Sequence, residues 1–177
     1  HLYLSPVFEA RPGSTHGYDI TDPTRIRAAL GGPDDFEELA LVARRHELRL
    51  LLDIVPNHLA AHHANPWWWD VLTHGRASEY AGHFDIHWDD APADRPGTVV
   101  LPVLGAPAEE LIDNGELTLR PDDVTGRTDT HVVAYHEHRF PVRPGTDTDR
   151  SLRAILDEQP YTLMVWRDGL RKLNYRR

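Results

Sequence analysis

The chain has 177 residues, a length that fits one domain or one piece of a larger one, and its 40% hydrophobic content is enough to build a buried core. Its 28 acidic residues outweigh 19 basic ones for a formal charge of −9, so phosphate backbones and anionic lipid headgroups are repelled, and nucleic-acid and membrane-surface roles start far behind. There is no cysteine, which excludes disulfide frameworks, zinc ribbons and thiol catalysis, and no basic-then-apolar leader or membrane-length apolar run, so a soluble, unexported, cytoplasmic protein is expected.

Leu2, Tyr3 and Leu4 begin a β-rich run that Pro6 closes, so a strand stands at the first residues and the chain reads as starting inside a larger domain. A Gly-, Pro- and Asp-rich loop is expected through residues 11–25. After Gly31-Gly32-Pro33, the apolar residues Phe36, Leu39, Ala40 and Ala43 fall at i, i+3, i+4 and i+7, the spacing of an amphipathic helix. Acidic residues at 34, 35, 37 and 38 suit the positive end of its dipole, and Arg44, Arg45 and His46 suit the negative end. The run from Leu48 to Val55, closed by Pro56, has the nearly continuous apolar character of a strand buried on both faces. Residues 2–55 are thus predicted to form a β-loop-α-β unit with parallel strands.

Beyond residue 58 the periodicity weakens, and turn signals recur at Asp94-Arg95-Pro96-Gly97, Asp113-Asn114-Gly115 and Arg143-Pro144-Gly145. This stretch reads as a long insertion with strands over 115–119, 131–135 and 161–166 and a short helix carrying Leu152, Ile155 and Leu156 that Pro160 stops.

Two polar motifs stand where parallel α/β folds place ligands, after successive strands. In Thr15-His16-Gly17-Tyr18-Asp19 an aromatic ring lies beside a carboxylate, a pair suited to a sugar: the ring packs on the apolar C–H face while the carboxylate accepts from hydroxyls. In Asp53-Ile54-Val55-Pro56-Asn57-His58, Asp53 ends the apolar run and needs donors to stay ionised, and Asn57 and His58 follow where the chain leaves the sheet. The plainer alternatives are a local turn at Gly17 and a satisfied Asp53. Trp67, Trp68 and Trp69 are adjacent and cannot all face one core, so packing for two of them and sugar stacking for one is the expectation. His136 and His138 would share a face if a strand continued through both, a geometry open to a metal, although hydrogen-bonded imidazoles are the simpler reading; no His-Glu-x-x-His motif occurs, and no metal site is predicted.

Asp53-Ile54-Val55-Pro56-Asn57-His58 resembles the first conserved region of the α-amylase superfamily, glycoside hydrolase family 13, and Gly17-Tyr18-Asp19 resembles its upstream sugar-binding signature. Within that family the chain is similar to the members that make trehalose from malto-oligosaccharides, through residues 1–8, 12–19, 65–70, 101–105, 137–141 and 173–177.

The resemblance implies an α/β fold, a fragment of a (β/α)8 TIM barrel with its second and third strands and the helix between them in residues 1–58. Residues 59–177 would then be an insertion or lid of the same catalytic domain, truncated at both ends. It implies that Tyr18 stacks on a glucose, that Asp19 and His58 bind its hydroxyls with His16 and Trp68 nearby, and that Asp53 and Asn57 hold the loop architecture. A departure is His87, where the family pattern leads us to expect an acid. The implied reaction is intramolecular transglycosylation on a malto-oligosaccharide or linear α-1,4-glucan, with functional pairing with a trehalose-releasing hydrolase; no cofactor is expected, and although the region-one Asn binds a structural calcium in some amylases, the residues here offer no full ligand set and none is predicted. Its nucleophilic Asp and acid/base Glu are expected beyond residue 177. An amylase or α-glucosidase and a non-catalytic glucan-binding module remain the alternatives.

Overall fold

The computed structural model describes residues 1–146 and 150–176, so Arg177 of the 173–177 motif lies outside the described residues. Two compact units divide them, one ending at Pro66 and the other running from Trp67 to Arg176.

The first unit contains β1 (Leu2–Leu4), β2 (Phe8–Ala10), β3 (Ile20–Ile26), α1 (Gly32–Arg45) and β4 (Leu50–Leu52). β1 and β4 are parallel with Tyr3 opposite Leu51, and α1 lies between them in sequence, as the hydrophobic pattern predicts. Phe36, Leu39 and Ala40 are half-buried and Ala43 is buried, which confirms the predicted apolar stripe. Asp34 and Asp35 open the helix and Arg44 and Arg45 close it.

Two expectations need correction here. The segment predicted as loop through residue 25 contains β3, which pairs antiparallel with β2. Its turn-like Asp22-Pro23-Thr24 sequence forms an irregularity within the strand: Asp22 Oδ1 accepts from the Thr24 amide at 2.9 Å and its hydroxyl at 2.6 Å, and the register shifts beside it. The run from Leu48 to Val55 is not a strand buried on both faces either. Only Leu50–Leu52 forms the strand, and among the described residues Leu51 and Ile54 are 56% and 55% exposed. An apolar run shows what a strand is suited to face, whereas burial requires neighbours, and among the described residues β1 and β4 make a two-stranded sheet.

The second unit contains α2 from residue 67 to His74 (the helix itself opens at Pro66), β5 (Val99–Leu104), α3 (Ala108–Asp113), β6 (Leu117–Pro121), β7 (His131–Tyr135), β8 (His138–Pro141), α4 (Leu152–Leu156), β9 (Tyr161–Val165) and α5 (Trp166–Gly169). β5 pairs parallel with β9, and β6, β7 and β8 form an antiparallel meander. Its core gathers Trp68, Val71, Leu104, Leu117, Val133 and Ile155, among others. The predicted strands and short helix are present to within two residues, and Ser151 caps α4 by accepting from the Ala154 amide. Asn174, only 2% exposed, fastens the C-terminal segment to β5 by accepting from the Val100 amide and donating to the Thr98 and His87 carbonyls. His136 and His138 do not share a strand face: His136 occupies the turn between β7 and β8 at φ +48°. Among the described residues no cluster of three or more potential metal ligands occurs, and no helix is long and apolar enough to cross a membrane.

Candidate functional site

The two sequence motifs converge within the first unit. Parallel pairing continues one step past β4, because the Asp53 amide donates to the Leu4 carbonyl at 2.9 Å, and this fixes the Asp53 backbone beside β1. The 15–19 motif is carried on the connection between β2 and β3 rather than on a direct strand-to-helix loop. Its Gly17 is buried in the left-handed region at φ +78°, a conformation glycine takes without the Cβ penalty. The Gly17 amide donates to Ser14 Oγ at 3.1 Å, and the Ser14 hydroxyl donates in turn to Asp19.

This backbone brings Tyr18 to Asp53. The Tyr18 hydroxyl donates to Asp53 Oδ2 at 2.7 Å, and a second phenol, Tyr3 of β1, donates to the same oxygen at 2.6 Å. The hydrogen bond from Tyr3, with that from Tyr18, holds the Asp53 carboxyl below the usual carboxylate range against a weaker opposing effect of burial. The converse holds for the donors: bonding to Asp53, with its negative charge, pushes the Tyr3 phenol up to about 12 and raises that of Tyr18. Burial alone would raise the Asp19 carboxyl, but the Ser14 hydroxyl, its own backbone amide, His16 and Arg11 together bring it below its ordinary value. The site therefore presents two ionised carboxylates around an aromatic ring that is 44% exposed.

His16 lies beside that ring, 5.8 Å between centroids and 22° from parallel, with Nδ1 accepting from the Tyr18 amide at 3.0 Å. His16 also borders a cavity of about 300 Å³ whose other walls include Pro6, Val7, Arg27 and Phe36, but not Tyr18, Asp19 or Asp53. Asn57 and His58 follow β4 on exposed backbone, and no hydrogen bond among the described residues brings either onto Asp53 or Tyr18. The structure thus links Tyr18, Asp19, His16 and Asp53 through hydrogen bonds and ring contact, and Asn57 and His58 lie on the segment that follows β4.

Trp68 is not available for sugar stacking as drawn from the sequence. It is 3% exposed in the second unit's core, with Phe84 edge-on at 5.2 Å and Tyr175 at 4.9 Å, so its ring faces are used in packing. Trp67 and Trp69, half-buried, flank it, and Trp67 stacks on Tyr80. His87, at the position where an acid was expected, lies 3.5 Å from Asp85, which also pairs with Arg176.

Sequence reasoning missed Tyr3. The signal was present in the strand period: Tyr3 lies opposite Leu51, and Asp53, two residues further, returns to the Leu51 face.

Residues 1–100 match the family model for the α-amylase catalytic domain. The chain belongs to the α-amylase family. Among solved members, the maltooligosyltrehalose synthase from Arthrobacter ramosus superimposes with a TM-score of 0.80 at 43% identity, covering 99% of this chain and 21% of that one. A second maltooligosyl trehalose synthase structure gives 0.79 at 37% identity over 94% of this chain and 21% of its own. A Mycobacterium tuberculosis relative assigned by description to the same enzyme is 40% identical over 179 residues, the whole of this chain. The chain spans 21% of the length of that curated relative.

Proposed function

We propose that this α-amylase family chain is part of an enzyme that converts the reducing-end α-1,4 linkage of a malto-oligosaccharide into the α,α-1,1 linkage of trehalose by intramolecular transglycosylation. The observation that carries the reading is whole-chain likeness, in sequence and fold, to solved maltooligosyl trehalose synthases. The Tyr18 hydroxyl on Asp53, with the Asp19 carboxylate on the next residue, supports it, since such a rim offers an aromatic ring and charged acceptors to one glucose unit. Tyr18 is assigned to stacking, Asp19 and His58 to hydroxyl contacts with His16 alongside, and Asp53 and Asn57 to support.

In this reading β1 and β4 are the second and third strands of a (β/α)8 barrel, and the second unit is the lid-like insertion that follows. Retaining transglycosylation needs two carboxyl groups roughly 5–5.5 Å apart. We assign both to strands later than residue 177. The nucleophile attacks C1 of the sugar next to the reducing end and breaks its bond to O4 of the terminal glucose, which takes a proton from the acid. The anomeric hydroxyl of that same glucose then attacks C1, returns its proton to the base and frees the nucleophile. No water is consumed, so water must be kept from the covalent intermediate while the glucose turns. The product would suit a partner hydrolase that releases trehalose, in the cytoplasm.

The test incubates the full-length protein with a short malto-oligosaccharide and follows reducing ends and total glucose units together. Reducing ends should fall while total glucose stays constant. Rising reducing ends would identify a hydrolase of the same family, and no change in either would leave a glucan-binding role.

A further inference from the structure

We propose that Tyr3 is a positioning residue: by sharing the Asp53 oxygen with Tyr18, it fixes the Tyr18 ring in the orientation that receives a sugar. This rests on the glucan reading of the rim, and it assigns a role to a residue outside both sequence motifs.

Tyr135, Tyr161 and Tyr175 are buried at 5%, 1% and 7%, as tyrosines that serve a core are, whereas Tyr3 is 59% exposed on a strand between two leucines. Among the described residues, which span 21% of the curated relative's length, its ring belongs to no core cluster. What its side chain does make is a hydrogen bond of 2.6 Å to Asp53 Oδ2. The placement follows from register: Tyr3 is paired with Leu51, and the alternation of the parallel strand puts Asp53 on the same face two residues on, within reach of a phenol. The Asp53 main chain is tied to Leu4, the next residue after Tyr3, so donor and acceptor are anchored to the same point of the sheet.

Tyr18 is anchored differently, on a connection between strands. Its ring is 44% exposed, and its hydroxyl is held by Asp53. With one donor on the carboxylate, the plane of Asp53 is free to turn about its last torsion, which is broad for an sp²-terminated side chain. The Tyr18 hydroxyl would follow it. With two donors on one oxygen, and one of them mounted on β1, that torsion is fixed before any ligand arrives, and the ordering is not charged against binding.

The experiment uses the full-length protein and four forms: wild type, Tyr3→Phe, Tyr18→Phe and the double variant. Tyr3→Phe removes one oxygen from an exposed ring and leaves the strand intact. For a short malto-oligosaccharide, Tyr3→Phe should raise KM about fivefold to tenfold with kcat changed less than twofold. In the Tyr18→Phe background the same change should add less than twofold, because the hydroxyl through which Asp53 holds the ring is already gone. Independent multiplication of the two effects, or an unchanged KM in Tyr3→Phe, overturns the proposal. A crystal structure of sugar-free Tyr3→Phe separates this from the glucan reading, since it needs no activity: the Tyr18 ring should occupy more than one position. A single unmoved ring overturns the positioning role even if the enzyme makes trehalose.

Discussion

A Cβ placed on Gly17 would stand 3.0 Å from the Pro6 carbonyl oxygen and 3.3 Å from the Pro6 side chain, on a backbone already at φ +78°. Gly17 is thus where the Tyr18 loop presses against the bend that ends β1. Gly17→Ala should cost about 1–2 kcal/mol for the left-handed conformation alone, plus the displacement needed to relieve the contact. Because Tyr18 is the next residue, KM for a malto-oligosaccharide should rise roughly tenfold, equivalent to about 1.4 kcal/mol. Gly13→Ala is the matched control: it has the same φ of +78° but nothing within 4 Å. Equal effects of the two substitutions on KM would show that the Pro6 contact does not set the ring.

The Tyr3, Asp53 and Tyr18 cluster has a defined pH window. The Asp53 carboxyl is depressed, so its contribution to the folded state is present above the ordinary carboxylate pKa of about 4 and is lost as pH falls through the lower folded value. The Tyr3 phenol is raised from 10.0 to about 12, so its contribution is complete below pH 10 and is lost as pH rises through about 12. A tyrosinate absorbance titration of full-length wild type against Tyr3→Phe should differ by one phenol that ionises near pH 12. If the difference titrates near pH 10, the hydrogen bond to Asp53 is not formed in solution.

The part of this that sequence made legible divides along physical lines. The α1 stripe of Phe36, Leu39, Ala40 and Ala43 was readable because a helix buries one face by its own period, and β1 with β4 followed from the apolar runs on either side of it. Tyr18, Asp19 and Asp53 were readable as local motifs, and the structure adds that two of them meet through a hydrogen bond spanning 35 positions. β3 was hidden because Asp22-Pro23-Thr24 carries turn chemistry inside a strand that only its pairing with β2 defines. β5 was hidden for a related reason: Pro102 interrupts its apolar run, while its pairing with β9 lies about 60 residues away. Tyr3 required the register of two parallel strands, which no single segment records.

The tryptophan triplet shows the same limit, and it reverses an expectation. Adjacency alone shows that the three rings point in different directions on α2, and the structure assigns the buried direction to Trp68. Replacing it with alanine removes a ring packed between Phe84 and Tyr175 and should cost about 3–5 kcal/mol, the range for large aromatic deletions in a core. The loss should appear as earlier unfolding of the second unit in a denaturant series on the full-length protein. The ratio of hydrolysis to transglycosylation, measured at a temperature where the variant is folded, should stay as in wild type, because a ring enclosed by the core touches no sugar. A raised hydrolysis share at unchanged stability would show that Trp68 acts at the site after all.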